Sequence, residues 1–280
     1  MRIALLGSNG QLGRDLATSL SNHDLLTFTR ETFDVTDHPQ AHRQLVDAKP
    51  GIIINTTAYH RVDDCESLPE VAYANNVLAI LNLARIANET GAMLVHFSTD
   101  YVFDGAATEP YTEQSPPMPL SIYGNSKLAG EYLVRSVAKK HLVIRTCGLY
   151  GKAGSRGKGG NFVEIMLSKA KAGQSIRVVA DQTLTPTSTA DLSGQVALML
   201  TAGLDGLFHV TSEGACSWYE FAAAIFEIAG IEADLSPTTS DLYKSPANRP
   251  KYSVLENARL KQLGMNRMQH WRDALAAYLR

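Results

Sequence analysis

The sequence predicts an α/β fold with a parallel sheet covered by helices on both faces, and three observations predict it. Short, β-branched apolar runs alternate with longer amphipathic stretches through the first 150 of 280 residues. Strands buried on both sides read as continuous apolar runs, and parallel neighbours need a crossover helix between them. A glycine-rich turn, Gly7-Ser8-Asn9-Gly10-Gln11-Leu12-Gly13, directly follows the first run and opens a helix. In a later amphipathic segment, Tyr123 and Lys127 stand four residues apart, which places them on one helical face.

The elements follow in order. Residues 2–6 form a strand, and the glycine turn leads into a helix over 11–20. A second strand covers 25–29 and a helix 39–47. The run Gly51-Ile52-Ile53-Ile54-Asn55 is a buried strand, and one long helix covers 69–90. Strands at 92–97 and 142–146 flank the helix at 121–139 that carries Tyr123 and Lys127. Beyond Gly148 the alternation weakens, so residues 1–150 are assigned to the dinucleotide-binding domain. Residues 151–280 form mainly a smaller C-terminal lobe, partly interleaved with the sheet. The architecture is thus Rossmann-type and doubly wound, with ligands expected at the carboxyl ends of the strands. Trp218 begins an amphipathic helix reaching about residue 228, and core packing is its expected role.

Composition narrows the functional class. A net charge of −2 and 19% charged residues give no reason to expect nucleic acid or an anionic membrane as partner. No apolar run approaches the roughly 18 residues of a membrane span. The N-terminus reads as a strand and not as a signal peptide. Cys65, Cys147 and Cys216 are widely spaced and odd in number, which reads as reduced thiols in the cytoplasm. His38 and His42 lie one helical turn apart without an evident third ligand, so no metal is expected.

The glycine triplet carries a mechanism. Gly7 permits the tight turn, Gly10 lets main-chain amides approach a pyrophosphate at the helix N-terminus, and Gly13 lets helix and strand pack closely. Asn9, Gln11 and Leu12 lie on the same turn. At the end of the second strand, where NAD-selective folds usually carry a carboxylate, the chain reads Thr27-Phe28-Thr29-Arg30. Arg30 is suited to a 2′-phosphate, so NADPH is favoured over NADH. Asp34 and Val35 follow, where an adenine edge would be received. The basic, glycine-rich loop over 151–160 lacks Walker spacing and reads as a lid over a diphosphate-linked sugar or as a solvent loop. A free phenol titrates at about pH 10, and the Lys127 ammonium is expected to pull Tyr123 lower.

Together with Asn55-Thr56-Thr57-Ala58-Tyr59, Ser98-Thr99-Asp100-Tyr101-Val102-Phe103-Asp104-Gly105 and Tyr123-Gly124-Asn125-Ser126-Lys127-Leu128-Ala129-Gly130-Glu131, these features resemble the extended short-chain dehydrogenase/reductases. Within them, the chain resembles the dTDP-4-dehydrorhamnose reductase family over nearly its whole length. That resemblance implies NAD(P)H-dependent reduction of the C4 keto group of a nucleotide-linked 4-keto-6-deoxy sugar for polysaccharide assembly. It implies Tyr123 as general acid, Lys127 on the nicotinamide ribose, and Thr99 polarising the carbonyl, with Ser98 as fallback. Ala58, Tyr59 and His60 would line the cofactor pocket. Asp100, Asn161, Gln182, Thr187 and Arg249 match positions around the nucleotide sugar, and the resemblance leaves room for a homodimer. Asn76 is either a superfamily functional amide or a buried structural one.

One position departs from the family. Where its members commonly read R-T-S-W, with the Trp packed on the sugar, this chain has Arg145-Thr146-Cys147-Gly148. The reaction type is untouched, while the sugar is left open. A related reductase or epimerase making another deoxysugar is one alternative. A non-catalytic NADP-binding regulatory subunit, like the β subunit of methionine adenosyltransferase, is the other.

Overall fold

Strands that are apolar on both sides need two covering layers, and this chain supplies them. The computed structural model describes residues 1–154 and 159–280; residues 155–158 of the basic loop lie outside the described residues. In chain order come β1 (Arg2–Leu6), α1 (Gln11–Ser19), β2 (Asp24–Phe28), α2 (His38–Ala48), β3 (Ile52–Asn55), α3 (Val62–Ser67) and α4 (Pro69–Tyr73). They are followed by α5 (Ala79–Thr90), β4 (Met93–Thr99), α6 (Ile122–Val137) and β5 (His141–Thr146). Among the described residues, the main sheet has the order β10-β5-β4-β3-β1-β2, where β10 is Gly206–His209, and every pairing is parallel. The order runs outward from β1 to β2 and in the other direction from β3 to β10. A crevice therefore opens between β1 and β3, at the ends of the strands.

Side-chain alternation splits each strand between two cores. Ile3, Leu5, Ile52 and Ile54 face the layer built by α1 and α8 (Thr189–Thr201), with Leu16, Val196 and Met199. Ala4, Leu6 and Ile53 face the opposite layer, with Leu45, Ile80, Leu83 and Val134. The remaining elements build a lobe on this frame: β6 (Leu149–Tyr150), α7 (Phe162–Lys171), β7 (Ile176–Val179), β8 (Thr183–Leu184), β9 (Thr187–Ser188), β11 (Cys216–Ser217), α9 (Trp218–Ala229), β12 (Leu235–Thr238), α10 (Ala258–Gln262) and α11 (Trp271–Leu279). Its own core joins Tyr150, Val163, Phe221, Ile225 and Trp271. The chain leaves the lobe at α8 and β10 to complete the sheet, then returns to it.

Two local departures from the sequence reading have clear causes. The expected helix over 69–90 is divided by a π-turn at Ala74–Leu78. There Asn76 is turned inward, accepting from the Tyr59 amide at 2.9 Å and donating to the Tyr59 carbonyl and to Ser126 Oγ, each at 3.0 Å. Asn76 is thus a structural amide that pins the chain after β3 to α6. The sixth strand, Gly-Leu-Phe-His, is four residues long and too short to show periodicity.

One buried ion pair fixes the helix of the Tyr and Lys to the sheet. Arg145 on β5 grips Glu131 on α6 bidentately, Nε to Oε1 at 2.9 Å and NH2 to Oε2 at 2.7 Å, and both side chains are almost completely buried. Removing one partner strands the other charge. Glu131→Ala is therefore expected to lose about 3–5 kcal/mol in urea unfolding, whereas replacing both residues by apolar ones of similar volume should cost much less. Equal losses for the single and double variants would contradict this account.

Candidate active site

The carboxyl ends of β1, β3, β4 and β5 open on one cleft of about 580 Å3. Its lining includes Asn9, Gly10, Gln11, Leu12 and Gly13 from the glycine turn, Ala58 and His60 after β3, and Thr99 and Asp100 at the end of β4. Tyr123 and Lys127 enter from α6, and Asn161 and Gln182 from the lobe. Ser121 starts α6 by accepting from the Gly124 amide at 3.2 Å, which sets Tyr123 in the first turn and Lys127 one turn further.

The electrostatics differ from those the sequence suggested. Burial pushes the Tyr123 phenol above its ordinary value, against a hydrogen bond with Thr99 that favours the phenolate. Burial also depresses the Lys127 amine, to about 8, while Glu131 acts to raise it. Lys127 Nζ donates to the Phe97 carbonyl at 2.7 Å and lies 3.4 Å from His96 Nε2. Burial, then the nearby Lys127, holds His96 well below its usual range and so neutral. Thr99 Oγ1 donates to Asp100 Oδ1 at 2.9 Å, and Cys147 Sγ donates to Asp100 Oδ2 at 3.0 Å. Asp100 is thus held by protein donors on both oxygens, and burial pushes its carboxyl up.

Other residues singled out from the sequence lie outside this cleft's lining. Arg30 is exposed beyond the end of β2, where the turn at Gly7 and Ser8 is tied by amide bonds to the Phe28 carbonyl. Asp34 accepts from the Thr36 hydroxyl at 2.7 Å and amide at 2.9 Å, which holds its carboxyl low. Val35 is packed in the core, so only its main chain is on offer there. Both main-chain groups of Tyr59 are bound by Asn76. Thr187 is fully buried, donating to the Thr185 carbonyl at 3.1 Å. Arg249 lines an adjoining, larger cleft of about 990 Å3 together with Lys169, Arg177 and Lys251. There it pairs with Asp63 at 2.9 Å. Burial pushes the Asp63 carboxyl up, but bonds from Arg249 and Ser245 outweigh it and hold it at about 2. Asn161, which does line the cleft, also caps α7, accepting from the Glu164 amide and donating to the Gly151 carbonyl and Tyr278 hydroxyl.

Several lining residues were not singled out. Thr146 is one of them; its hydroxyl and that of Ser98, the expected alternative to Thr99, are buried, line the cleft and have no hydrogen-bond partner among the described residues. Both stand at strand ends, where the parallel-sheet rule could also have found Thr146. Phe162 and Trp218 line both clefts. No group of three His, Cys, Asp or Glu side chains among the described residues could hold a metal ion.

These residues fit a dinucleotide. A Cβ on Gly13 would lie 2.2 Å from the Gly7 carbonyl oxygen, so the helix start sits against the turn as closely as a pyrophosphate site requires. The two orphan hydroxyls supply polar groups at the inner end of the cleft, where a carboxamide or ribose would satisfy them.

Known proteins resemble the chain over its whole length. The family model described as RmlD substrate binding domain matches residues 1–280. The spore coat polysaccharide biosynthesis protein SpsK of Bacillus subtilis is 38% identical, over 99% of this chain and 96% of its own. The crystal structure of a dTDP-4-dehydrorhamnose reductase from Clostridium acetobutylicum superposes with a TM-score of 0.95 at 39% identity, covering 100% of this chain and 98% of that one. The Bacillus anthracis dTDP-4-dehydrorhamnose reductase, solved in complex with NADP, gives 0.94 at 37% identity, covering 99% and 98%.

The Gly13 contact can be tested without ligand. Gly13→Ala must push helix α1 away from the turn, at a cost of about 1–3 kcal/mol. A lowered thermal midpoint and weaker dinucleotide binding are expected, and a variant as stable as the parent would disprove the contact.

Proposed function

We propose that this chain, which belongs to the RmlD substrate binding domain family, is an NADPH-dependent reductase of the C4 keto group of a nucleotide-linked 4-keto-6-deoxy sugar, with dTDP-4-dehydro-L-rhamnose as substrate and dTDP-L-rhamnose as product. The observation that carries the reading is Tyr123, Lys127 and Thr99 around one cleft that also contains the glycine turn. NADPH, when bound, supplies the hydride.

Asn9 to Gly13 would hold the pyrophosphate at the start of α1, with Arg30 toward the adenosine 2′-phosphate. Ser98 and Thr146 would take the polar groups of the nicotinamide end. The sugar sits between Thr99 and Tyr123, and its diphosphate extends toward Arg249, Arg177 and Lys251. Tyr123 Oη gives its proton to the C4 oxygen, which becomes the hydroxyl of the product. Thr99 donates to the same oxygen as charge develops there. Lys127, as the ammonium, stabilises the phenolate left behind. A purely regulatory NADP-binding role would require none of these three groups around the cleft.

No helix among the described residues is long and apolar enough to cross a membrane, and the three cysteines are free thiols. We place the reaction in the cytoplasm.

Oxidation of NADPH at 340 nm, with the keto sugar generated in situ, tests the reading. Tyr123→Phe should reduce kcat by about 10²–10⁴-fold while NADPH affinity is retained; full activity in that variant would refute the assignment of the acid. The pH dependence follows from Lys127. Its amine is charged below about 8 and neutral above, so kcat/KM should fall as pH rises through that value. Lys127→Met should be slow and lack this limb. A wild-type profile flat to pH 10 would remove Lys127 from the reaction.

A further inference from the structure

The wall of the cleft that Gly148 leaves bare has an aromatic neighbour from a different part of the chain. Gly148 adopts a left-handed φ of 56°, and a Cβ there would meet Leu184 at 3.0 Å and Pro186 at 3.1 Å, so no ring can be added at this position without moving β8. Phe162 and Trp218 line the same cleft. Each is the first residue of its helix, and each helix begins with a complete capping box, Asn161 with Glu164 and Ser217 with Glu220. Such caps fix the entry of the chain and the direction of the first side chain. The two rings lie 4.6 Å apart between centroids, inclined by 45°, and Phe162 stacks on buried Phe221 at 5.6 Å. The pair is therefore backed by the lobe core while part of each ring remains uncovered.

Its position defines what it can contact. Phe162 and Trp218 line both the cleft of Tyr123 and the basic cleft of Lys169, Arg177 and Arg249. A ligand whose reacting carbon reaches Tyr123 while its diphosphate reaches the basic cleft must carry its hexose across this seam. A 6-deoxy hexose presents C–H groups and a methyl on its apolar face, which suit an aromatic surface. Resting on the reductase reading above, we infer that Trp218, supported by Phe162, is the platform on which the hexose ring is seated and a specificity determinant of this enzyme.

The test uses the full chain with NADP⁺ present, and dTDP-L-rhamnose and dTDP as probes, by calorimetry and tryptophan emission. The chain has two tryptophans, and Trp271 is buried in the lobe core, so an emission change lost in Trp218→Phe reports on Trp218. Trp218→Ala should weaken dTDP-L-rhamnose about three- to tenfold and leave dTDP and NADPH within twofold. Trp218→Phe should bind the sugar nucleotide within about threefold of wild type, and dTDP-L-rhamnose, but not dTDP, should change the Trp218 emission. Equal weakening of dTDP and dTDP-L-rhamnose would place the ring on the base or act through the fold, overturning the proposal. Unchanged affinity for both in Trp218→Ala, with wild-type turnover intact, would overturn the platform alone. A wild-type protein that binds NADPH but not dTDP-L-rhamnose would overturn the reductase reading and the platform with it.

Discussion

The buried grip of Arg145 on Glu131 is the constraint on which the rest of the site depends. Burying two charges costs several kcal/mol of desolvation per ion, so such a pair adds little net stability over apolar packing. What it supplies here is position. It locks α6 to β5, so Tyr123 and Lys127, two turns and one turn before Glu131, meet the ends of β4 and β5 where Thr99 and Thr146 stand. The same guanidinium lies 5.1 Å from the centre of the Phe103 ring and 3.5 Å from His209 on β10. Burial, and next the Arg145 charge, hold His209 at about 3 and therefore neutral. The Glu131 carboxylate also acts on the cleft by favouring the charged form of Lys127. One ion pair thus couples sheet, helix and site electrostatics.

The parts of the fold legible in the sequence are those whose physics is local. β1, β3, β4 and β5 are visible because burial on two faces demands largely apolar runs, and the glycine turn because close approach demands residues without Cβ. The sixth strand was not visible, because its four residues lie beyond a lobe that interrupts the alternation. The π-turn at Ala74–Leu78 was equally hidden. Its cause is a set of bonds from Asn76 to Tyr59 and Ser126, 17 and 50 residues away, and helical periodicity continues on either side.

The site divides along the same line. Tyr123 and Lys127 share a helix face by spacing alone and could be read directly, whereas periodicity could not choose between Ser98 and Thr99, and only the family pattern favoured Thr99. The partners that condition them could not be read: Cys147 reaches Asp100 across 47 residues, and Arg249 reaches Asp63 across 186. Trp218 shows a different limit. An amphipathic pattern correctly makes its helix a packing element, yet a residue at the first position of that helix can pack with one edge and line a cleft with the other.

The shift in the phenol's acidity bears on how the proton moves. An adjacent ammonium would by itself make Tyr123 a stronger acid, but burial acts in the opposite direction and is the leading influence. Such a phenol is fully protonated at neutral pH, the form a donor must have. It is too weak an acid to protonate a ketone in advance. In the proposed reaction it could protonate the far more basic alkoxide produced by reduction at C4, so proton transfer would accompany or follow reduction. On the proposed roles, Thr99 would matter most while charge builds on the oxygen, and Lys127 once the charge has moved to the phenolate. The dry setting that weakens the acid in the resting state also strengthens both of these contacts when the charge appears.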